Sequence, residues 1–310
     1  MTRRDVALKE FNQLTPVEEY DGILYKRDDK FMPFDDVPIT GGKVRQCLSL
    51  LERNYDYIKD HCDSLVATAT SVNSPQGIVV ARSAREFGFN SLIVFGGTNA
   101  RTLMQNPMVK WVHYCGSEFD LKCKLGYDGV LNSRIRDIKE TRKLFHVKFG
   151  INLENDPDSI INSVAHQVQN LPEDIDNLII PTGSAITAGG ILCGLIKYPK
   201  IKPKRVIIVQ ISGYDRQDTL HRIFRAMSMD HMPVPEYEYV ADKTYSYSRQ
   251  LKIRLNTRGE YHDPVYEAKA YDWMIKNVNY KNEKTLFWIV GNSYYVRAFT
   301  PEMYQMAMLE

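Results

Sequence analysis

Residues 205–211 contain Val206, Ile207, Ile208, Val209 and Ile211, a nearly unbroken apolar run. A strand that is apolar on successive positions must be covered on both faces, as in a parallel sheet flanked by helices. Other runs of this kind stand at residues 64–70, 91–95, 177–180 and 284–290, and amphipathic segments separate them. After Gly41-Gly42-Lys43, one apolar stripe runs through Val44, Cys47, Leu48, Leu51, Tyr55 and Ile58. Residues 76–87 read as a helix stopped by Gly88, and Thr98 as the cap of the next one. Residues 159–171 form a helix with Ile160, Ile161, Val164 and Val168 on one side, and another surrounds Ile191–Ile196. Such alternation predicts an α/β fold with parallel sheets. The turn-rich stretches 117–141 and 197–204 read as surface excursions.

Composition narrows the class. The chain has 310 residues, 44 % apolar and 25 % charged, enough for one large α/β unit or two modest domains around a shared cleft. A net charge of +2 excludes a strong overall field toward nucleic acid or acidic lipid. No stretch approaches the roughly 20 consecutive apolar residues of a membrane helix. The segment Met1–Asp5 is charged and lacks the apolar core of a signal peptide. Cys47, Cys62, Cys115, Cys123 and Cys193 are scattered and odd in number, which suits buried free thiols in a reducing cytoplasm and no metal site.

Three segments are candidates for chemistry. Lys43 stands at a helix start, where the positive helix end disfavours a cation, and with burial that field makes an amine more nucleophilic. The same residues also suit a surface lysine after a glycine turn. Residues 181–190, Pro-Thr-Gly-Ser-Ala-Ile-Thr-Ala-Gly-Gly, follow a strand and open a helix. Small residues there let backbone amides close on an anion, with Ser184 and Thr187 as further donors. The segment matches neither a P-loop nor a dinucleotide fingerprint, so a single phosphate group fits better than a pyrophosphate. A tight packing turn is the alternative. Residues 263–270 carry Tyr266 and Glu267 at a helix entrance, either an acid–base pair or a capped helix with a half-buried tyrosine. The basic run 197–205 is a solvated loop or a phosphate-contacting patch.

Taken in order, four stretches resemble the tryptophan-synthase-β-like superfamily of fold type II pyridoxal-phosphate enzymes, nearest the 1-aminocyclopropane-1-carboxylate deaminase and D-cysteine desulfhydrase branch. They are Tyr25–Asp29 with Gly41–Arg45, Ser71–Gly77, Thr182–Gly190 and Asp263–Ala270. The resemblance implies two α/β domains with the cofactor, pyridoxal 5′-phosphate, in the cleft between them. Residues 48–163 would be the smaller inserted domain, and 1–47 plus 164–310 the larger. It implies Lys43 as the Schiff-base lysine and Asn73 as the partner of the cofactor's phenolic oxygen. Gly183, Ser184, Ala185, Ile186 and Thr187 would form the phosphate loop, and Glu267 would face the pyridine nitrogen. Tyr266, and Tyr245 as a second tyrosine, would line the reacting face. A carboxylate beside that nitrogen favours the pyridinium, the stronger electron sink.

The substrate motifs depart further than the cofactor motifs. Val72 replaces the branch's serine, Ser74-Pro75 a histidine-containing turn, and Val290-Gly291-Asn292 a threonine-glycine-glycine turn. The implied activity is external aldimine and α-carbanion formation on an amino acid by a lyase or deaminase, in a homodimer. Two alternatives stand beside it. One is a same-fold enzyme acting on an amino-acid-modified nucleotide or DNA base, as in phage thymine hypermodification. The other is a non-catalytic fold relative.

Overall fold

A computed structural model describes residues 13–97, 100–124, 128–211 and 215–307. Thr98 and Met1–Asp5 lie outside the described residues. Two sheets organise the molecule. The first holds β1 (Val17–Tyr20), β2 (Ile23–Arg27), β7 (Asn177–Thr182), β8 (Arg205–Gln210), β9 (Tyr237–Ala241) and β10 (Thr285–Ile289), in the order β1-β2-β10-β7-β8-β9. The second holds β3 (Leu65–Ser71), β4 (Asn90–Gly96), β5 (Glu118–Cys123) and β6 (Phe145–His146), in the order β5-β4-β3-β6. Every pairing is parallel except the β1–β2 hairpin.

The continuous apolar runs explain this layering. In β7, β8 and β10, alternate residues enter opposite cores. Leu178, Ile180, Val206, Ile208, Leu286 and Trp288 pack on one side, and Ile179, Ile207, Val209, Phe287 and Ile289 on the other. In the smaller sheet, Val66, Ile93 and Phe95 join the first of these cores, while Leu65, Ala67, Leu92 and Val94 form a third. One core is therefore common to both sheets. Burying each such side chain contributes roughly 1.5–3 kcal/mol.

The structure modifies several sequence expectations. The stripe after Gly42 is two helices, Gly42–Arg53 and Tyr55–His61, broken at Asn54. The helix expected over 159–171 is Pro157–Ala165 continued by a 3-10 turn, His166–Asn170. Residues 117–141 are not a surface excursion. They contain edge strand β5 and the helix Asp128–Lys139, whose Leu131, Ile135 and Ile138 are buried among many charges. The basic run 197–205 is largely solvated or paired. Lys204 contacts Asp176 at 2.6 Å, Arg205 contacts Glu238 at 3.2 Å, and Lys200 and Lys202 are exposed.

No helix among the described residues is long and apolar enough to cross a membrane.

Candidate active site

A cavity of about 630 Å³ opens where strands end at their carboxyl termini. Ser71 comes from the end of β3, Pro181 and Thr182 from the end of β7, and Val290 and Gly291 directly follow β10. Parallel α/β sheets place ligands at this edge because loops and helix N-termini converge there.

Lys43 enters the cavity from the first turn of the Gly42–Arg53 helix. Two observations fix that helix start. Gly41 has φ +90°, and a Cβ on it would lie 2.4 Å from the Val290 carbonyl oxygen, so only glycine allows this approach. The Gly42 amide then donates to that same carbonyl at 2.8 Å. One turn of chain further, Arg45 is fully buried and pairs with fully buried Asp28 at 3.1 Å. Asp28 also accepts from Thr15 Oγ1 at 3.0 Å and Trp288 Nε1 at 3.3 Å. The Tyr25–Asp29 stretch thus braces the helix rather than lining the cavity. Arg27 continues the brace through Glu18, Asp29 and Glu260, at 2.5, 2.8 and 2.9 Å.

No hydrogen-bond or ion-pair partner meets the Lys43 amine among the described residues. Burial pushes its pKa down to about 8, because the lost hydration of the charge outweighs the opposing pull of Cys47. A neutral amine is accordingly within easy reach near neutral pH.

The Gly183–Thr187 turn lies opposite. Ala185 caps the Ile186–Lys197 helix in a left-handed conformation, φ 66°. Gly183, Ser184 and Thr187 line the cavity, whereas Ala185 is buried beneath it and Ile186 faces an adjoining recess. A Cβ on Gly183 would lie 2.7 Å from Tyr266 Cε1, so the turn and the tyrosine ring are fitted to each other.

Glu267 begins the helix Glu267–Asn277 and is 1 % exposed. Its Oε1 accepts from the Val290 and Gly291 amides at 3.0 and 3.3 Å. Burial first, then the charge of Asp263, pushes its pKa well above the usual carboxylate range, which favours the protonated carboxyl. Tyr266 meets Tyr247 hydroxyl to hydroxyl at 2.5 Å. Burial raises both phenols, so at neutral pH the pair donates hydrogen bonds and supplies no base. Tyr266 and Glu267, expected either as an acid–base pair or as a capped helix with a half-buried tyrosine, both line the cavity.

Two expected residues sit elsewhere. Tyr245 donates to Asp272 Oδ2 at 3.0 Å and does not line the cavity, and Tyr247 lines it instead. Asn73 is in the turn after β3, but its neighbours Ser71 and Pro75 line the wall. The Asn73 carbonyl accepts from Arg297 Nη2 at 2.7 Å.

Other residues here were given no role of their own from the sequence, although Asp263 and Gln76 lie inside the stretches that carry the resemblance. Asp263 is 3 % exposed and accepts from the Val265 and Tyr266 amides at 2.8 and 3.0 Å and from the Ser293 amide at 2.8 Å. Arg297 Nε donates to Ser293 Oγ at 2.8 Å, tying this cluster to the Asn73 turn. Gln76, fully buried, donates to Thr68 Oγ1 at 2.8 Å and Lys148 O at 2.9 Å and accepts from the Gly150 amide at 2.7 Å. It fixes the loop that faces Ser184. A buried glutamine at a strand-to-helix turn was the available signal.

The fold is tryptophan-synthase-β-like, the fold shared by type II pyridoxal-phosphate enzymes. Its match to the crystal structure of an ACC deaminase homologue has a TM-score of 0.72 at 17 % identity, covering 99 % of this chain and 98 % of that one. Diaminopropionate ammonia lyase of Escherichia coli matches with a TM-score of 0.62 at 15 % identity, over 96 % and 88 % of the two chains. In sequence, the chain is 27 % identical to the O-seryl-dTMP PLP-dependent decarboxylase of Salmonella phage ViI, covering 91 % of this chain and 81 % of that protein. No family model matches.

The residues present fit pyridoxal phosphate. Such a group needs an anion cradle, an accessible amine and a partner for a ring nitrogen. Ser184 and Thr187 at a helix start, unpartnered Lys43 and buried Glu267 line one cavity and meet those needs.

Proposed function

We propose that this chain is a pyridoxal-phosphate enzyme of the lyase class that breaks a bond at the α-carbon of an amino acid. The observation that carries the reading is an amine without a hydrogen-bond partner among the described residues, at a helix start, in one cavity with a phosphate-sized turn and a buried carboxyl. When bound, the cofactor supplies an electron sink for the pair left at the α-carbon. The remaining roles belong to the chain. Lys43 anchors the cofactor aldehyde and, once released, holds or moves a proton at its Nζ, a transfer favoured by positioning. The Gly183–Thr187 turn binds and orients the phosphate. Glu267 offers its carboxyl proton toward the ring nitrogen, with its own orientation set by the Val290 and Gly291 amides. The Tyr247–Tyr266 pair donates hydrogen bonds on the substrate side. Asn73 stays as the partner of the phenolic oxygen in this reading, and Tyr247 takes the place given to Tyr245.

A second reading concerns what bears the amino acid. The phage relative is named for serine joined to a thymidine nucleotide, and this favours a substrate whose amino acid is carried on a nucleotide over a free one. The division into residues 48–163 and 1–47 plus 164–310, a homodimer and a cytoplasmic location complete the proposal. The two sheets support the division, since β3–β6 lie wholly inside 48–163.

Turnover decides between substrates. The cofactor-loaded protein is incubated with free amino acids and, in parallel, with O-seryl thymidine nucleotide, and carbon dioxide, ammonia and residual substrate are measured. Product from either set, lost in Lys43→Ala, supports the reading. No product from any substrate, or equal product in the variant, contradicts it.

A further inference from the structure

Beside the main cavity lies a second recess of about 440 Å³ that shares Phe149, Ser184 and Arg216 with it. Its cationic or ionisable nitrogen groups are Arg136, Lys139, His146, Lys148, Arg216 and Arg222, against a single carboxylate, Glu154. Glu154 is taken by Lys148. Among the described residues, no carboxylate pairs with Arg136, Lys139 or Arg222. This concentration is local, because the whole chain is nearly balanced, with 40 basic and 38 acidic residues. It is also assembled from both parts of the molecule. Arg136 and Lys139 come from the helix Asp128–Lys139, His146 from β6, and Arg222 from the helix Gln217–Ala226.

A second observation points to a ligand. His146 is 8 % exposed, lines the recess, and its Nε2 is buried with no hydrogen-bond partner among the described residues. Buried polar nitrogens are normally satisfied, so an orphan in a recess wall marks a place where a bound group supplies the partner. Burial pushes the His146 pKa down to about 4, and the charges of Lys139 and Lys148 add to that push. The same positive field attracts an anion.

We infer that this recess is an anion annex of the active site, which binds the phosphate of a nucleotide while the amino acid attached to that nucleotide reaches Lys43. The inference rests on the second reading above and makes it specific. The shared walls let one molecule occupy both spaces. Phe149 offers a ring at the junction on which a base can stack. Free amino acids carry no group that would use so many cations. The phosphate belongs to a mononucleotide or to a nucleic-acid strand, and the chemistry of the annex is the same for both.

The test is binding of three probes to the cofactor-loaded protein: inorganic phosphate, thymidine 5′-monophosphate and a single-stranded thymidine oligonucleotide. Each is measured at several salt concentrations. The expected result is nucleotide binding that weakens with salt and falls by roughly tenfold or more in Arg136→Glu/Arg222→Glu, since charge-assisted contacts are lost and repulsion is added. Lys202→Glu, on the solvated loop, leaves it unchanged. A strand that binds far more tightly than the monophosphate, with a steeper salt dependence, supports a polymeric source, and equal affinities support a mononucleotide. Arg136→Gln alone, at an exposed position that folding does not need, gives a smaller drop of roughly threefold. The inference is overturned if no probe binds, or if the charge variants bind as the parent does. Should the cofactor fail to attach while nucleotide binding persists, the proposed chemistry falls and the annex stands. Attachment without nucleotide binding removes the annex alone.

Discussion

Lys26 and Lys43 are two desolvated amines near one another in the chain, and burial pushes both down to about 8. They differ in what surrounds the nitrogen. Lys26 is fully buried in β2 and donates to the Thr15 carbonyl at 2.7 Å and Asn170 Oδ1 at 2.6 Å. Lys43 has no such acceptors and faces a cavity. Desolvation alone therefore does not make a reactive lysine. An amine held by two carbonyl oxygens is a structural clasp, and the one left without acceptors is available to a ligand. Lys269 repeats the first pattern. Burial pushes it to about 8 as well, and it donates to Ser246 O at 3.0 Å and Tyr247 O at 2.9 Å.

Four substitutions would break or sharpen this contrast. The largest effect is expected for Lys43→Ala, with turnover reduced by about a thousandfold or more, the scale of losing both nucleophile and proton carrier. Its urea midpoint should not fall, because no native hydrogen bond is removed. A clear drop in stability would make Lys43 another clasp.

Glu267→Gln should lower kcat by roughly a hundredfold, since the amide carries no proton to give to a ring nitrogen. It should also flatten a pH dependence of stability in the cofactor-free protein. The native carboxyl is raised above its ordinary 4.5. Between 4.5 and its native value the folded state holds one more proton than the unfolded chain. Unfolding free energy then falls as pH rises, by about 1.4 kcal/mol per unit for this group. Denaturation across that window, with and without the substitution, checks the sign.

Lys26→Met should act on stability. The Thr15 carbonyl keeps only its Asn170 Nδ2 donor and half-buried Asn170 Oδ1 loses its lysine, at a cost of about 2 kcal/mol read from the denaturant midpoint, while cofactor attachment persists. The smallest effect is expected for Lys269→Met, which loosens the segment carrying Tyr247. A roughly tenfold fall in kcat/KM, with attachment intact, would mark Lys269 as a positioning residue.

The legible parts of the sequence obey the same physics. Strands β7, β8 and β10 are readable because both faces are apolar, and so continuous runs announce them. The edge strands β5 and β9 expose much of their length, with Glu118 and Glu238 among their residues, and so show no such run. Helix Asp128–Lys139 hides a short apolar stripe beneath arginines and aspartates. In the site, Lys43, the Gly183–Thr187 turn, Tyr266 and Glu267 come from contiguous motifs and are brought to one cavity. Tyr247 lines the cavity and Tyr245 does not, and residues 244–247 carry both tyrosines in a loop with no periodicity to separate them. The basic annex is unreadable in the chain, since its cations come from segments far apart in sequence and meet only through folding. The clasp at Lys26 and the amine at Lys43 likewise look alike until their neighbours are known.

The central claim is that Lys43 is the reactive amine. It is tested most directly by adding less than one equivalent of pyridoxal phosphate to the native protein, reducing with borohydride, and locating the pyridoxyl group by peptide mass spectrometry. The label is expected on Lys43, with Lys26 and Lys269 unlabelled. Label spread over surface lysines, or placed on either clasped lysine in preference to Lys43, would contradict it.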